Sequence, residues 1–410
     1  MSHQRKCRLC GADLEHVFVD LGMSPLCESY VPAEKADAME PFYPLCVYVC
    51  GECLLVQLPP HVSGEHIFSE YAYFSSYSDS WLEHARRYCE AMTERFGIDK
   101  SKHVVEVASN DGYLLRNFVA AGVPCTGIEP ATNVAQAAIE KGVPTINRFF
   151  GEETARDLKA QGLQADLLAA NNVLAHVPDL HDFVGGLGIL LAPGGVFTGE
   201  IPHVLRLIEQ NQFDTIYQEH YSYLSVAVLE RLFGQHGMEL FDVEELPTHG
   251  GSIRVYAQAT GGPQERSPRL DAVLEAERRA GLHSIEGYLG FDAKAQECRY
   301  GLIEFLIEAR RAGKKVAGYG APGKGNTLLN YCSIRADLLP YTVDRNPYKQ
   351  GKLLPGSRIP IKEPEEIFRD RPDYVLILPW NLKDEIAKQL EEIKSWDGQF
   401  VTPIPSVAVF

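Results

Sequence analysis

Nothing in this 410-residue chain stays apolar for long. No stretch approaches the roughly 18 consecutive apolar residues that a membrane-spanning helix needs. The longest apolar runs, such as DYVLILP (373–379), have the length of a strand. Basic runs are missing as well: no five consecutive Lys/Arg occur, and the formal net charge is -16. An acidic chain without a basic patch repels a phosphate backbone, which sets nucleic acid aside and favours small-molecule partners. The opening MSHQRKCRLC holds no apolar core of the kind a secretion signal carries, so a cytoplasmic protein with no membrane partner is expected. Internal repeats of 20 to 50 residues and low-complexity tracts are also absent, which excludes solenoids and arrays.

Cysteine is present and patterned. Four of the ten cysteines form two C-x-x-C pairs, and Cys27, Cys46, Cys89, Cys125, Cys298 and Cys332 are scattered. In a long chain without a secretion signal this reads as a metal site plus buried thiols, not a disulfide framework. The pairs are Cys7-Arg8-Leu9-Cys10 and Cys50-Gly51-Glu52-Cys53. Two thiolates of one tight turn reach a metal together at about 2.3 Å, and four Cys leave no open position, so a structural zinc is expected. A thioredoxin-like role would require a βαβ setting, which neither pair has.

Three consecutive parts follow from the patterning. Residues 1–80 are rich in Cys, Pro and aromatics with little periodicity, and read as a small zinc-binding domain. Residues 81–260 open on a helix, SDSWLEHARRYCEAMTERFG, with Ser80 as its N-cap and Gly97 as its stop. Alternating strands (HVVEVA, PCTGIE, ADLLAAN) and helices follow, with LAPGGVFTGEIP read as a turn at 193–195 and then a strand. That alternation implies a doubly wound, mostly parallel sheet. After the linker GGPQERSP, residues 261–410 show a long helical stretch from 270 to 312 and a second βα set. The expected fold is therefore α/β: a zinc-binding domain, a central Rossmann-like domain, and a C-terminal helical plus second Rossmann-like domain.

The candidate cofactor site lies at the ends of consecutive strands, where open α/β sheets collect ligand contacts. After the first strand stands Glu106-Val107-Ala108-Ser109-Asn110-Asp111-Gly112. An acid followed by a turn is the arrangement in which methyltransferases of this sheet type hold S-adenosylmethionine, so Glu106, Ser109, Asn110 and Gly112 are candidates. Glu129 ends the next strand, where a carboxylate holds ribose hydroxyls in dinucleotide folds. Asn171 and Asn172 end a later one.

The candidate reaction site is Tyr217-Gln218-Glu219-His220-Tyr221, with His176 shortly after Asn172. Histidine is the natural general base near neutral pH. Glu219 is expected to orient a neighbouring His or raise its pKa, and Tyr217 to donate to a developing oxyanion. In the C-terminal part, GYGAPGKG (318–325) joins a strand to a helix. Helix N-terminal amides plus Lys324 suit a diphosphate. Gly320, Asn326 and Asp344 complete this candidate substrate set, with Asn346 and Lys349 weaker.

The chain resembles the S-adenosylmethionine-dependent sugar C-methyltransferases of deoxysugar pathways, such as those of macrolide and tetronate antibiotics. The resemblance spans essentially the whole chain. It rests on the two C-x-x-C pairs, YAYFSSYSDSWLEHA (71–85), EVASNDGYLL, NNVLAHVPDL, YQEHYSYLS and GYGAPGKGNTLLNY. It implies a nucleotide-linked 4-keto-6-deoxysugar, methylated at C3 through an enolate, with a thymidine diphosphate carrier favoured. It further implies His220 as the base, Tyr217, Glu219 and His176 around the enolate, Tyr71 as a substrate contact, and a monomeric enzyme. Two rivals are a zinc-containing RNA methyltransferase and a non-catalytic nucleotide-sugar binding protein. The acidic balance and the second Rossmann-like part oppose the first, and the Tyr-Glu-His cluster opposes the second.

Overall fold

A computed structural model describes residues 5–64, 75–77 and 79–410. Tyr71 lies outside them. The chain forms two compact units: residues 1–14, 50–204 and 221–284 make the first, and 15–49, 205–220 and 285–410 the second. No helix among the described residues is long and apolar enough to cross a membrane.

The first unit is built on a seven-stranded sheet. Across it run Met238–Leu246, Ser252–Ala259, Leu191–Pro202, Ala165–Ala169, Val104–Val107, Cys125–Ile128 and Thr145–Ile146. The last five are mutually parallel, and the first two form an antiparallel hairpin joined antiparallel to Leu191–Pro202. Val104–Val107 is buried along its whole length. This is what a central strand covered on both faces needs, and it explains the β-branched run. It also carries Glu106 into the interior.

Three local expectations are corrected. Pro193-Gly194-Gly195 does not precede a strand but lies within one: Ala165 pairs with Leu191 while Leu167 pairs with Val196, so the extra residues bulge out. Gly194, at φ 77°, supplies the left-handed residue such a bulge uses. The helix read from Ser80 starts at Asp79, so Ser80 lies inside it, whereas Gly97 with φ 61° does stop it. The stretch 270–312 is not one helix but two, Pro268–Arg279 and Phe291–Arg311. Gly281 and Gly290, at φ 83° and 89°, break the periodic pattern between them.

The second unit carries its own sheet, in the order Ile361–Lys362, Thr342–Val343, Val316–Tyr319, Tyr374–Ile377, Gln399–Thr402 and Ala408–Val409. All neighbours are parallel except the last pair. An antiparallel pair, His16–Ser24 with Tyr43–Val49, belongs to this unit. Phe18 of that pair stacks on Phe291 with ring centroids 4.6 Å apart. The scattered cysteines carry thiols and not disulfides; Cys27, Cys89, Cys125, Cys298 and Cys332 are buried, and Cys46 is half-buried.

Candidate active site, cofactor site and metal site

The four paired cysteines converge. Their sulfur atoms all lie within 4.8 Å of one another. Cys7 to Cys53 and Cys10 to Cys50 are each 3.5 Å. A tetrahedral zinc with bonds of about 2.3 Å sets its sulfurs roughly 3.8 Å apart, so these thiols fit the ion with small adjustment. The hydrogen bond with Cys53 draws the Cys7 thiol well below its ordinary value, which favours the first thiolate that zinc requires.

At the carboxyl end of the large sheet the backbone turns sharply after Val107. Ala108, Asn110 and Gly112 have φ of 54°, 49° and 75°. Gly112 is required twice over, since a Cβ there would stand 2.8 Å from Val143 Cγ2. Asn110 N–H donates to Glu129 Oε2 at 2.9 Å and Ala131 N–H to Oε1 at 2.8 Å, so Glu129 locks the turn to the next strand end. The Asn110 side chain accepts from Ser75 N–H at 2.9 Å. Asn171 accepts from Glu200 N–H at 3.2 Å, and Asn172, at φ 57°, donates its N–H to the Glu200 carbonyl at 2.6 Å.

The chemistry left over at this edge suits S-adenosylmethionine. Glu106 Oε2, Ser109 Oγ and Asp111 Oδ1 are buried with no partner. Burial, with Glu129 and Asp111 close by, pushes the Glu106 carboxyl well above its ordinary range. These buried oxygens without a donor would be relieved by a ligand that brings ammonium, hydroxyls and a sulfonium charge. Asp111, not singled out from the sequence, also receives Ser76 Oγ–H and an ion pair from Lys141 at 2.7 Å. His176 stands in this unit on the short turn Leu174–His176, half-buried.

The remaining candidates gather in the second unit. His220 is 8% exposed, and its Nδ1 lies 2.9 Å from the Thr215 carbonyl. A carbonyl only accepts, so Nδ1 carries the proton and Nε2 the lone pair. The Tyr217 ring lies over His220, with centroids 4.0 Å apart. Glu219 is buried, and the Cys27 thiol donates to its Oε1 at 3.9 Å. Burial and then the charge of Glu28 push the Glu219 carboxyl up to about 8, against the Cys27 hydrogen bond. The Thr215 carbonyl thus helps to fix the His220 ring, and Glu219 stands as a protonated carboxyl near neutral pH.

The turn after Val316–Tyr319 leads into the helix Gly323–Tyr331. Gly320, at φ 89°, could not carry a Cβ, which would meet Pro379 Cδ at 2.5 Å. Asp344 accepts from Ala321 N–H at 2.7 Å and Asn346 N–H at 2.8 Å, so it braces this turn. Lys324 donates to Asn381 at 2.9 Å and lies 4.8 Å from the Trp380 ring centroid. Asp214, bonded by Trp380 Nε1–H at 2.7 Å, is raised to about 6 by burial against the opposing charge of Lys324. Asn326 is buried and donates to the Cys27 carbonyl. Lys349 Nζ and Tyr30 OH both donate to Ala321 O, at 2.9 and 2.6 Å.

Cys27, Glu28, Asp214, Thr215 and Trp380 escaped sequence reasoning. None lies in a spacing pattern. Only folding brings Cys27 to Glu219, and a pair so distant in the chain leaves no local signal.

Three protein families match consecutive segments: a zinc binding domain over residues 7–68, a methyltransferase domain over 81–243, and a C-methyltransferase C-terminal domain over 247–405. The C-methyltransferase NovU of Streptomyces niveus is 37% identical over 404 residues, covering 98% of this chain and 96% of that protein. A ubiquinone biosynthesis O-methyltransferase of Methylobacterium sp. (strain 4-46) is 34% identical over 98 residues, covering 23% of this chain and 38% of that one. The solved magnesium protoporphyrin IX methyltransferase of Synechocystis PCC 6803 is 13% identical with a TM-score of 0.33, covering 43% of this chain and 78% of that one. With a relative matched end to end, an acidic strand-end site suited to S-adenosylmethionine and a four-cysteine zinc site, the chain belongs to the S-adenosylmethionine-dependent C-methyltransferases.

Proposed function

We propose that this enzyme methylates C3 of a nucleotide-linked 4-keto-6-deoxysugar, carried on thymidine diphosphate, with His220 as the base. The observation that carries this reading is the tautomer of His220. Its Nδ1–H is engaged by the Thr215 carbonyl, so Nε2 is left as the basic atom. The flanking groups suit an enolate: a phenol at Tyr217 and a carboxyl at Glu219 kept protonated up to about 8. A proton α to a ketone is removable when a base near pKa 7 meets donors that stabilise the enolate oxygen.

In the first step Nε2 takes the C3 proton, and the C–H electron pair becomes the enolate, with negative charge on O4. Tyr217 and Glu219 donate to that oxygen, and His176 is proposed as a further donor. S-adenosylmethionine, held at the strand-end acids Glu106, Asp111 and Glu129, would supply an electrophilic methyl for the C3 carbanion, its sulfonium becoming a neutral thioether. His220, now an imidazolium, returns its proton to solvent. Lys324 and the first-turn amides of the helix Gly323–Tyr331 are proposed to hold the diphosphate. The segments 1–80, 81–260 and 261–410 are proposed as the metal, cofactor and sugar-nucleotide parts of a cytoplasmic monomer.

The test is a mass-shift screen with methyl-labelled S-adenosylmethionine against thymidine-, guanosine- and cytidine-diphosphate 4-keto-6-deoxysugars. Label on C3 of the thymidine-linked sugar is expected. Label only on RNA, or on no sugar nucleotide, would refute the proposal.

A further inference from the structure

We propose that the zinc site positions the reaction centre, and that Arg8 and Gln57 are the positioning residues through which it acts. This rests on the reading of His176 and His220 given above. Every contact involved lies in the first unit, and Tyr221 directly follows His220 in the chain.

The first link starts at a metal ligand. Gln57 is 1% exposed, and its Nε2–H donates to Cys7 Sγ at 3.1 Å. Its Oε1 accepts Arg8 N–H at 3.0 Å. With zinc bound, Cys7 is a thiolate, so the N–H···S bond is charge-assisted and fixes which way the amide points. The acceptor end is then committed to Arg8.

Arg8 supplies the second link. Its guanidinium donates to the Leu58 carbonyl and lies 5.4 Å from the Tyr221 ring centroid. The Nη1 of this guanidinium is buried. Four thiolates suffice to bind zinc, so neither a fully buried amide nor a desolvated guanidinium is needed for the metal itself.

The third link is backbone. Leu58 N–H donates to Tyr221 O at 3.0 Å, and Val56–Gln57 pairs antiparallel with Ser222–Tyr223. Tyr221 is 1% exposed, its hydroxyl donates to Val62 O at 2.9 Å, and its N–H donates to Ala175 O at 2.8 Å. Ala175 precedes His176. The knuckle thus grips the residue after His220 and, through it, the residue before His176. Misplacing a catalytic group by about 1 Å costs up to a hundredfold in rate, so such a grip has a kinetic purpose.

The test uses the full-length zinc-loaded enzyme, its Arg8→Met and Gln57→Leu variants, and hydrogen exchange read by mass spectrometry. Both variants are expected to keep one zinc and an affinity for S-adenosylhomocysteine within about twofold of wild type. Amides in 173–177 and 221–224 should exchange about tenfold faster while those in 104–107 do not change. With thymidine diphosphate 4-keto-6-deoxyglucose as probe, turnover should fall about ten- to hundredfold, with the KM for S-adenosylmethionine unmoved. Unchanged exchange at both segments in zinc-loaded Arg8→Met would overturn the proposal. Should a variant not fold, chelation of the wild-type enzyme decides. Segments 173–177 and 221–224 should open well before 104–107, and opening of all three in step would make zinc a staple of the whole unit only. If the wild-type enzyme ignores the probe sugar, the substrate reading fails, and the exchange arms still judge this one.

Discussion

Glu219 offers a perturbation whose size can be worked out. Its carboxyl is shifted from 4.5 to about 8, first by burial and then by Glu28. One pKa unit is worth about 1.36 kcal/mol, so the shift amounts to up to about 5 kcal/mol. The sign follows from a folded value raised above the unfolded one. The folded protein holds this proton more tightly, so its stabilising effect is complete below about pH 4.5 and is lost progressively up to about pH 8. Glu219→Gln cannot ionise and keeps a donor at the same place. Near pH 5 the variant and wild type should therefore melt alike. The variant should then gain with each pH unit until about pH 8, opening a gap of up to roughly 6 °C that stays flat beyond. Calorimetric scans across this range measure it. Turnover should keep a pH limb near 8 in wild type that vanishes in Glu219→Gln, because ionisation would remove the donor proposed to face the enolate. A melting gap that is constant with pH, together with an alkaline limb that survives in the variant, would refute the reasoning.

Metal analysis should return one zinc per chain. Cys50→Ser should lose it along with several kcal/mol of stability, whereas full stability without metal would remove zinc from the fold. Glu129→Gln keeps the size of a side chain that accepts two backbone N–H bonds but surrenders a charge. Calorimetry should show S-adenosylmethionine bound about 1–3 kcal/mol more weakly, and equal affinity would place the ribose elsewhere.

Much of this architecture is legible because it is local. HVVEVA and PCTGIE announce buried parallel strands through β-branched runs and flanking turns. The two C-x-x-C pairs announce a metal through spacing alone. Other features depend on partners far along the chain. The strand His16–Ser24 draws its register from Tyr43–Val49 and its cover from Phe291, so its own residues show little periodicity. The region 270–312 reads as one helix because helix formers dominate it, yet two left-handed glycines end the pattern. Within the reaction cluster, the sequence placed Tyr217, Glu219 and His220 side by side but not their environment. The Thr215 carbonyl that sets the His220 tautomer is a backbone atom, and the thiol beside Glu219 comes from position 27. Backbone acceptors and long-range neighbours decide protonation, and neither is written in local spacing.

The central claim is that Nε2 of His220 removes the C3 proton before methyl transfer. It is tested most directly by incubating the 4-keto sugar nucleotide in deuterated water with S-adenosylhomocysteine, which has no methyl to give. Wild type should exchange deuterium into C3. His220→Asn should bind both ligands yet lose the exchange, and its turnover should fall about a hundredfold to ten-thousandfold, the contribution of a general base. His176→Asn should slow exchange less. Retained exchange in His220→Asn, with its loss in His176→Asn, would transfer the base to His176. Normal exchange in both variants would contradict the account.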